Sequence, residues 1–580
     1  MNSQLPSPLA RPLAQTLPCD IIAHIAQYVK LGAATPKALV RGSTTIPMTS
    51  RELVPLTAVC RDWRTVVNPI IYQVACLCTS DYKPYRLSDD CLSALNRAVQ
   101  HRKQGLIRQL YLFVDMSTLF ELEGLDSFLQ FALSECGELV NVNKLVLVPT
   151  YSNSPYRWGS NNALEKIEKA ADISTTMDCL LKGIRCLVPN VRVVNTTYQS
   201  QYGHHYGRIR DNEHAMALLP AMFASQTTQV STDLVKLSRV QLSQFVPGLL
   251  RSISISNCKG PQIPIEFIRR HAPWLESLSI SNFTTLAIIK LTLGATPEST
   301  CMYPRLKKLY IASVVGFRRE RFRQPLADPF PALEVLDCQS SFPFSTLVVL
   351  EGGRSHFRVL RMRLDEDLFG KMEQNGLLRK AAFQKLQVVS LKWVERSVHD
   401  LQAYSERMML KSLEIGAQTQ IVHVNKLRTV DFDLTIPKLH FASTIRVLDF
   451  QETAMTISQA ATLLCGFPNL FKTMLFLRES PELRSKRMPE PEEITQFRKK
   501  FIDCRSSVQF VDVCKTQFAN TRRAGEYIVL FADVLPSVSK VRIACTNSGR
   551  SDRVLKGANF ALARTIYRGS HAQDVRLYKD

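Results

Sequence analysis

The amino-acid sequence predicts an α/β solenoid, a curved array of short parallel strands alternating with helices, behind a small N-terminal helical module. Three observations carry that expectation. Segments of the form Φ-x-x-Φ-x-Φ, with Φ aliphatic or aromatic, recur from about residue 107 onward. Several share a proline two residues before the first Φ: APWLESLSI (272–280), YPRLKKLYI (303–311), FPALEVLDC (330–338) and LPSVSKVRI (535–543). Between Leu250 and Leu410 successive segments start roughly 24 to 31 residues apart, the period of a solenoid repeat.

Residues 1–16 are expected to be disordered, and a helical module to occupy 17–80. In LPCDIIAHIAQYV (17–29), Ile21, Ile22, Ile25, Tyr28 and Val29 lie on one helical face. Thr16 is a candidate cap, Pro18 fits the first turn, where its missing N–H costs nothing, and Leu17 can pack back. A second periodic run, ELVPLTAVCRDWRTVV (52–67), places Leu53, Leu56, Val59, Cys60, Trp63 and Val67 at helical spacing. Pro55 must start or bend that helix, and Asn68-Pro69 punctuates it before Ile70, Ile71 and Tyr72.

These residues resemble an F-box: a Leu-Pro helix, then the segment acidic-Leu-x-x-Leu-x-x-Val-Cys-Arg-x-Trp, matched by Glu52, Leu53, Leu56, Val59, Cys60, Arg61 and Trp63. The chain departs from the family in a polar insert at 30–50 and in Tyr72, where the family has a terminal Trp. The resemblance implies binding to the linker subunit, and through it the cullin, of an SCF-type ubiquitin ligase. Leu17, Pro18, Ile21, Ile22, Ile25, Leu53, Leu56, Val59, Cys60 and Trp63 would form the linker-binding set. Leu17, Pro18, Ile21 and Ile22 are expected to be an exposed apolar patch that a partner covers.

A linking helix is expected over 81–106 and the array over 107–560, with 561–580 as a tail or cap. Each proline-led segment encodes the end of a helix and the start of a strand. Looser copies begin at Phe467 and Val188. Strands are also expected at Leu250-Ile253-Ile255, Phe357-Leu360-Met362, Leu386-Val389-Leu391, Leu410-Leu413-Ile415, Leu427-Val430-Phe432 and Ile445-Leu448-Phe450, and a polar loop at 195–214. The whole resembles the F-box leucine-rich-repeat class, although the asparagine ladder of that class is mostly missing. A single unit cannot bury its apolar face, so neighbours stack into one core.

If the Φ positions point inward, the intervening residues form the concave face. They read as a serine shelf (Ser252, Ser254, Ser256, Ser277, Ser279, Ser281), then Lys308, Tyr310, Asp337, Gln339, Arg361, Arg363, Ser390 and Lys392. An acidic end follows at Glu414, Asp431, Asp433, Asp449 and Gln451. Lys308, Tyr310, Arg361, Arg363 and Lys392 are the candidate substrate-binding residues, suited to an acidic or phosphorylated protein segment.

The 580 residues are 45% hydrophobic and 21% charged, the balance of a folded chain. No apolar run reaches membrane-spanning length, and the first residues lack a signal-peptide core. The 15 cysteines show no CxxC spacing. Reduced cysteines, with Cys60, Cys258 and Cys338 in the core, and a cytoplasmic or nuclear location are therefore expected. The net charge of +22 is spread along the chain, which disfavours nucleic acid as a partner without removing it. His204, His205 and His214 lack the spacing of a metal site. No GxSxG, Walker or GxGxxG motif occurs, so no cofactor and no catalysis are expected. The expected role is that of a substrate-recognition adaptor. The alternatives are a repeat scaffold whose helices only cap the array, and a basic nucleic-acid-binding solenoid.

Overall fold

The computed structural model describes residues 17–33, 51–78, 89–115, 136–150, 180–196, 221–232, 242–255, 263–283, 301–314, 329–338, 357–364, 386–393, 401–415, 419–425, 444–455, 457–477, 507–513, 540–543 and 553–556, with a few isolated positions between them. The chain forms two compact units, Met1–Leu275 and Glu276–Asp580. The expected disordered N-terminus (1–16), most of the 30–50 insert, the strand at 427–432, His204, His205, His214 and the tail at 561–580 lie outside the described residues.

The first unit opens with three short helical elements. Helix α1 (Cys19–Ala33) begins two residues later than a Thr16 cap would place it. The Pro18 carbonyl accepts the Ile22 N–H at 3.1 Å, so Pro18 precedes the first turn instead of sitting in it. The second periodic run is not one helix. Arg51–Ala58 is a 3-10 helix around Pro55, and α2 (Arg61–Ile71) starts only after Cys60, whose backbone is fully extended. Pro55 has no N–H to give to an α-helical ladder, and the run continues here only as a short 3-10 element. The helix then runs through Pro69 to its last turn, with the Tyr72 N–H bonded to the Asn68 carbonyl at 3.0 Å. Ile22, Ala26, Leu53, Trp63 and Val67 form the closed centre of this module.

Strand β1 (Val74–Cys78), helix α3 (Asp89–Gln100, within the expected linking segment) and strands β2 (Gln109–Asp115), β3 (Lys144–Thr150), β4 (Val193–Thr196), β5 (Gln229–Thr232) and β6 (Ser252–Ile255) follow. Each strand pairs in parallel with the next in sequence. Residues 180–187 are helical, and α4 (Ile263–His271) and a 3-10 turn (Ala272–Trp274) close the unit.

In the second unit β7 (Ser277–Phe283), β8 (Lys308–Val314), β9 (Val335–Cys338), β10 (Val359–Leu364), β11 (Val388–Trp393), β12 (Ile421–Asn425), β13 (Val447–Met455), β14 (Lys472–Leu477), β15 (Phe510–Val513) and β16 (Lys540–Ile543) again pair in parallel and in sequence order. Strand β17 (Arg553–Lys556) returns antiparallel beside β16. Helices α5 (Leu401–Ile415) and α6 (Ile457–Gly466) lie between strands. Sequential parallel strands alternating with helices are the topology of an α/β solenoid.

The recurring motif has a specific placement in this ladder. Its first Φ (Leu275, Leu306, Leu333, Phe357, Leu386, Ile445, Leu470) is buried in the turn before the strand, and the second and third Φ face the core. The carbonyl just ahead of one strand accepts two successive N–H groups of the next. Glu276 O binds Lys307 and Lys308, Lys307 O binds Glu334 and Val335, and Glu334 O binds Arg358 and Val359, at 2.8–3.1 Å. A proline two residues before the first Φ leaves those donors intact.

Side-chain amides join neighbouring turns in the first unit. Asn141 Nδ2 donates to the Gly105 carbonyl, Asn190 Nδ2 to Val140 and Gln226 Nε2 to Pro189, at 2.7–2.8 Å. A short amide ladder thus exists, built by residues outside the Φ pattern.

Two expectations are corrected, on a strand and on the cysteines. Leu410-Leu413-Ile415 belongs to helix α5, so Glu414 lies on a helix and not on a strand face. Ser405, Met408, Met409, Ser412 and Leu413 are buried at helical spacing, a period that the three-position motif happens to share with a strand reading. The outward-facing residues of β1–β3 are not polar: Cys76, Tyr111, Phe113, Val146 and Val148 form a second buried cluster. Burial, and then the nearby Cys76, push the Tyr111 hydroxyl pKa upward. Finally, Cys465 in α6 is disulfide-bonded, whereas Cys60, Cys76, Cys136 and Cys338 are not in disulfides. Spacing along a chain reveals zinc motifs, but not which thiols folding brings together.

His271, at the end of α4, has no exposed surface, and neither ring nitrogen has a hydrogen-bond partner. Burial, and then the adjacent Arg270, lower its pKa from 6.5 to about 4. The folded state therefore holds it neutral, while the unfolded chain protonates it near pH 6.5. Stability is complete above that pH and falls as pH drops toward 4, by a total of about 3 kcal/mol at ~1.4 kcal/mol per unit. Thermal unfolding at pH 7 and pH 4.5 should show this loss in the wild-type chain and a smaller one in His271→Leu. Equal losses would place the acid-labile group elsewhere.

Candidate functional site

Parallel pairing without slippage aligns equivalent residues of successive strands, so the outward face of the second unit can be read row by row. One row runs Ser279, Tyr310, Asp337, Arg361, Ser390, His423, Asp449 as mutual register partners. The row on one side of it pairs Arg363 with Lys392. The row on the other side runs Ser277, Lys308, Val335, Val359, Val388, Ile421, Val447, Lys472.

The structure therefore brings together the sequence-predicted cations. Arg363 lies directly across from Lys392, Arg361 is two residues from Arg363 on the same face, and Lys308 stands two strands from β10. Tyr310 is half-buried in the central row. The basic centre is not uncompensated, however. Arg361 Nη1 lies 3.4 Å from Asp337 Oδ2 on the preceding strand. This pair is partly exposed, so it contributes at most about 1 kcal/mol. The half-buried Arg363 has its Nε enclosed without a hydrogen-bond partner.

Asp449, expected at an acidic end, is instead paired. His423 Nδ1 lies 2.8 Å from Asp449 Oδ2 and donates to it whenever Nδ1 carries a proton. The central row is thus a series of alternating polar groups, with Asp337 against Arg361 and His423 against Asp449.

Sequence reasoning missed the aliphatic row. Val335, Val359, Val388, Ile421 and Val447 are half-buried side chains on five successive strands. At about 4.8 Å per strand the line extends for roughly 19 Å. Its signal was available, because each is the β-branched residue immediately before the second Φ. An aliphatic line beside a polar row, with the Arg363–Lys392 pair beyond it, can accept an extended polypeptide, with apolar contacts at one edge and charge-assisted hydrogen bonds at the other.

In the helical module the predicted set divides in two. Ile22 (1% exposed), Leu53 and Trp63 are core and unavailable to a partner, which corrects the expectation that Ile22 is exposed. Leu17, Ile25, Leu56, Val59 and Cys60 are half-buried against that core. Pro18 and Ile21 are exposed, as is Val54 on the 3-10 helix, a residue sequence reasoning did not select. The reason is periodicity: the face that closes the module is the apolar face the pattern reveals.

Among the described residues no group of three His, Cys, Asp or Glu side chains is placed to hold a metal ion, and no helix is long and apolar enough to cross a membrane. No protein-family model matches the chain, and neither does any curated protein.

Proposed function

We propose that this chain is a non-catalytic substrate-recognition adaptor of an SCF-type ubiquitin ligase. In this reading the module at 17–80 is an F-box that binds the linker subunit and hence the cullin, and the leucine-rich-repeat-like array binds a protein substrate. The observation that carries the reading is the module itself: three short helical elements closed on Ile22, Leu53, Trp63 and Val67, with Pro18 and Ile21 left exposed. The outward rows of the second unit support the substrate half, since Tyr310 and Arg361 border an aliphatic line and Arg363 and Lys392 lie one row beyond, an arrangement that suits an acidic or phosphorylated segment. The chain would contribute proximity, and its partners the ubiquitin transfer.

A co-precipitation of the full chain with the linker subunit tests this. Pro18→Ala with Ile21→Asp should weaken linker binding at least tenfold, as expected for an apolar anchor replaced by a charge. Arg361→Glu with Arg363→Glu should leave linker binding unchanged and release an acidic or phosphorylated partner. A wild-type chain that captures no linker subunit would leave a repeat scaffold with a helical cap. A steep inverse salt dependence of nucleic-acid binding would favour the basic solenoid instead.

A further inference from the structure

Where α2 faces the turn between α3 and β2, the first unit contains an open cleft of about 580 Å³, lined by Cys60, Arg61, Arg64, Thr65, Asn68, Pro69, Lys103 and Leu106. Three of these eight residues are cations and none is a carboxylate. Asp62, also on α2, does not line the cleft. Arg61, Arg64 and Lys103 make no ion pair with any described residue. The Arg64 guanidinium donates from Nε to the Thr57 carbonyl at 3.3 Å, a bond that leaves its terminal nitrogens available.

Lys103 is held in place by an unusual turn. Arg102 has φ +53°, a left-handed conformation that glycine or asparagine normally supplies. Its N–H bonds the Val99 carbonyl, and the Lys103 N–H bonds the Ala98 carbonyl at 2.7 Å, which ends α3 and fixes the chain direction at Lys103. The Leu106 N–H returns to the Lys103 carbonyl, and Asn141 fastens Gly105 from the next turn. The cation on this wall is thus mounted on a rigid turn, and the two arginines on the opposite wall are mounted on a helix.

We propose that this cleft binds a soluble small anion carrying several phosphoryl groups, which bridges the helical module and the first strands of the array. The volume lies in the range of small-molecule sites, and guanidinium groups match phosphoryl oxygens through paired N–H donors. One phosphoryl group carries about −1.5 to −2 charge, too little to offset three cations, so the site calls for at least two. The inference does not depend on the ligase reading, and of the residues assigned there to linker binding the cleft includes only Cys60.

Isothermal titration of the full chain with inorganic tripolyphosphate, at ~150 mM salt to screen diffuse attraction, tests the inference. Saturable binding is expected, tighter than that of orthophosphate. Arg61→Gln, Arg64→Gln and Lys103→Gln together should weaken it at least ~tenfold, the loss of one charged contact or more. Lys103→Glu alone, on the surface turn, should do the same if the triple variant folds poorly. Arg305→Gln, Lys307→Gln and Arg446→Gln remove equal charge from the second unit and should change affinity less than about twofold. Hydrogen exchange should slow at both 61–69 and 101–108 on adding tripolyphosphate. Absence of binding, equal losses in the two triple variants, or slowing on only one wall would overturn the proposal.

Discussion

Trp393→Ala is expected to destabilise the second unit by about 4 kcal/mol, within the ~3–5 kcal/mol range of large aromatic deletions in a core. Trp393 is fully buried on β11, and its indole Nε1 donates to Ser412 Oγ at 2.7 Å. Ser412 in turn donates to the Met408 carbonyl at 2.7 Å, so the indole ties a strand to α5 through a polar chain with no exposure to water. Removing the ring leaves a cavity, but Ser412 keeps its own acceptor. Trp393→Phe should therefore cost much less, about 1 to 2 kcal/mol for the lost hydrogen bond and the imperfect fill. Chemical denaturation of the three chains separates the contributions. Similar losses for Ala and Phe would show that the hydrogen bond, and not the packing, dominates.

The second large effect is confined to two adjacent residues. Ile22→Asp should unfold the helical module, because a carboxylate at a site with 1% exposure lacks a partner and costs at least about 4 kcal/mol. Ile21→Asp, at 41% exposure, should change stability by no more than about 0.5 kcal/mol. Hydrogen exchange over α1 and α2 reports the difference directly: Ile22→Asp loses protection there and Ile21→Asp keeps it. Under the proposed function both variants lose linker binding, but only Ile21→Asp does so with an intact module. Retained protection in Ile22→Asp would mean that α1 does not close this core.

The strands were legible where proline marked the helix-to-strand change, as at Pro273, Pro304 and Pro331, since that residue constrains the backbone on its own. Where only the three Φ positions spoke, the reading was ambiguous. Leu410, Leu413 and Ile415 satisfy it, but Ser405 and Ser412, two polar residues buried in α5, complete a helical face that hydrophobicity alone does not display. The cations of the candidate site were legible because β-strand alternation sends every second residue outward. Their counter-charge was not, because the pairing of Arg361 with Asp337 depends on which strands are neighbours and in what alignment. In the module, the pattern found the core and could not distinguish Ile21 from Ile22. One residue along a helix is a rotation of about 100°, enough to separate a buried side chain from an exposed one.

The doubled acceptance by each pre-strand carbonyl has a consequence for how such a molecule can change. These bonds join main chain to main chain, so they are indifferent to which side chain occupies the outward position. Residues such as Tyr310, Arg361 or Val388 can be exchanged without altering the pairing that places them. Duplicating one strand-and-helix unit would insert a new position into every row and move the later ones along by a single strand spacing. The outward face can thus be rewritten letter by letter, or lengthened by a word, while the scaffold that holds the text stays the same.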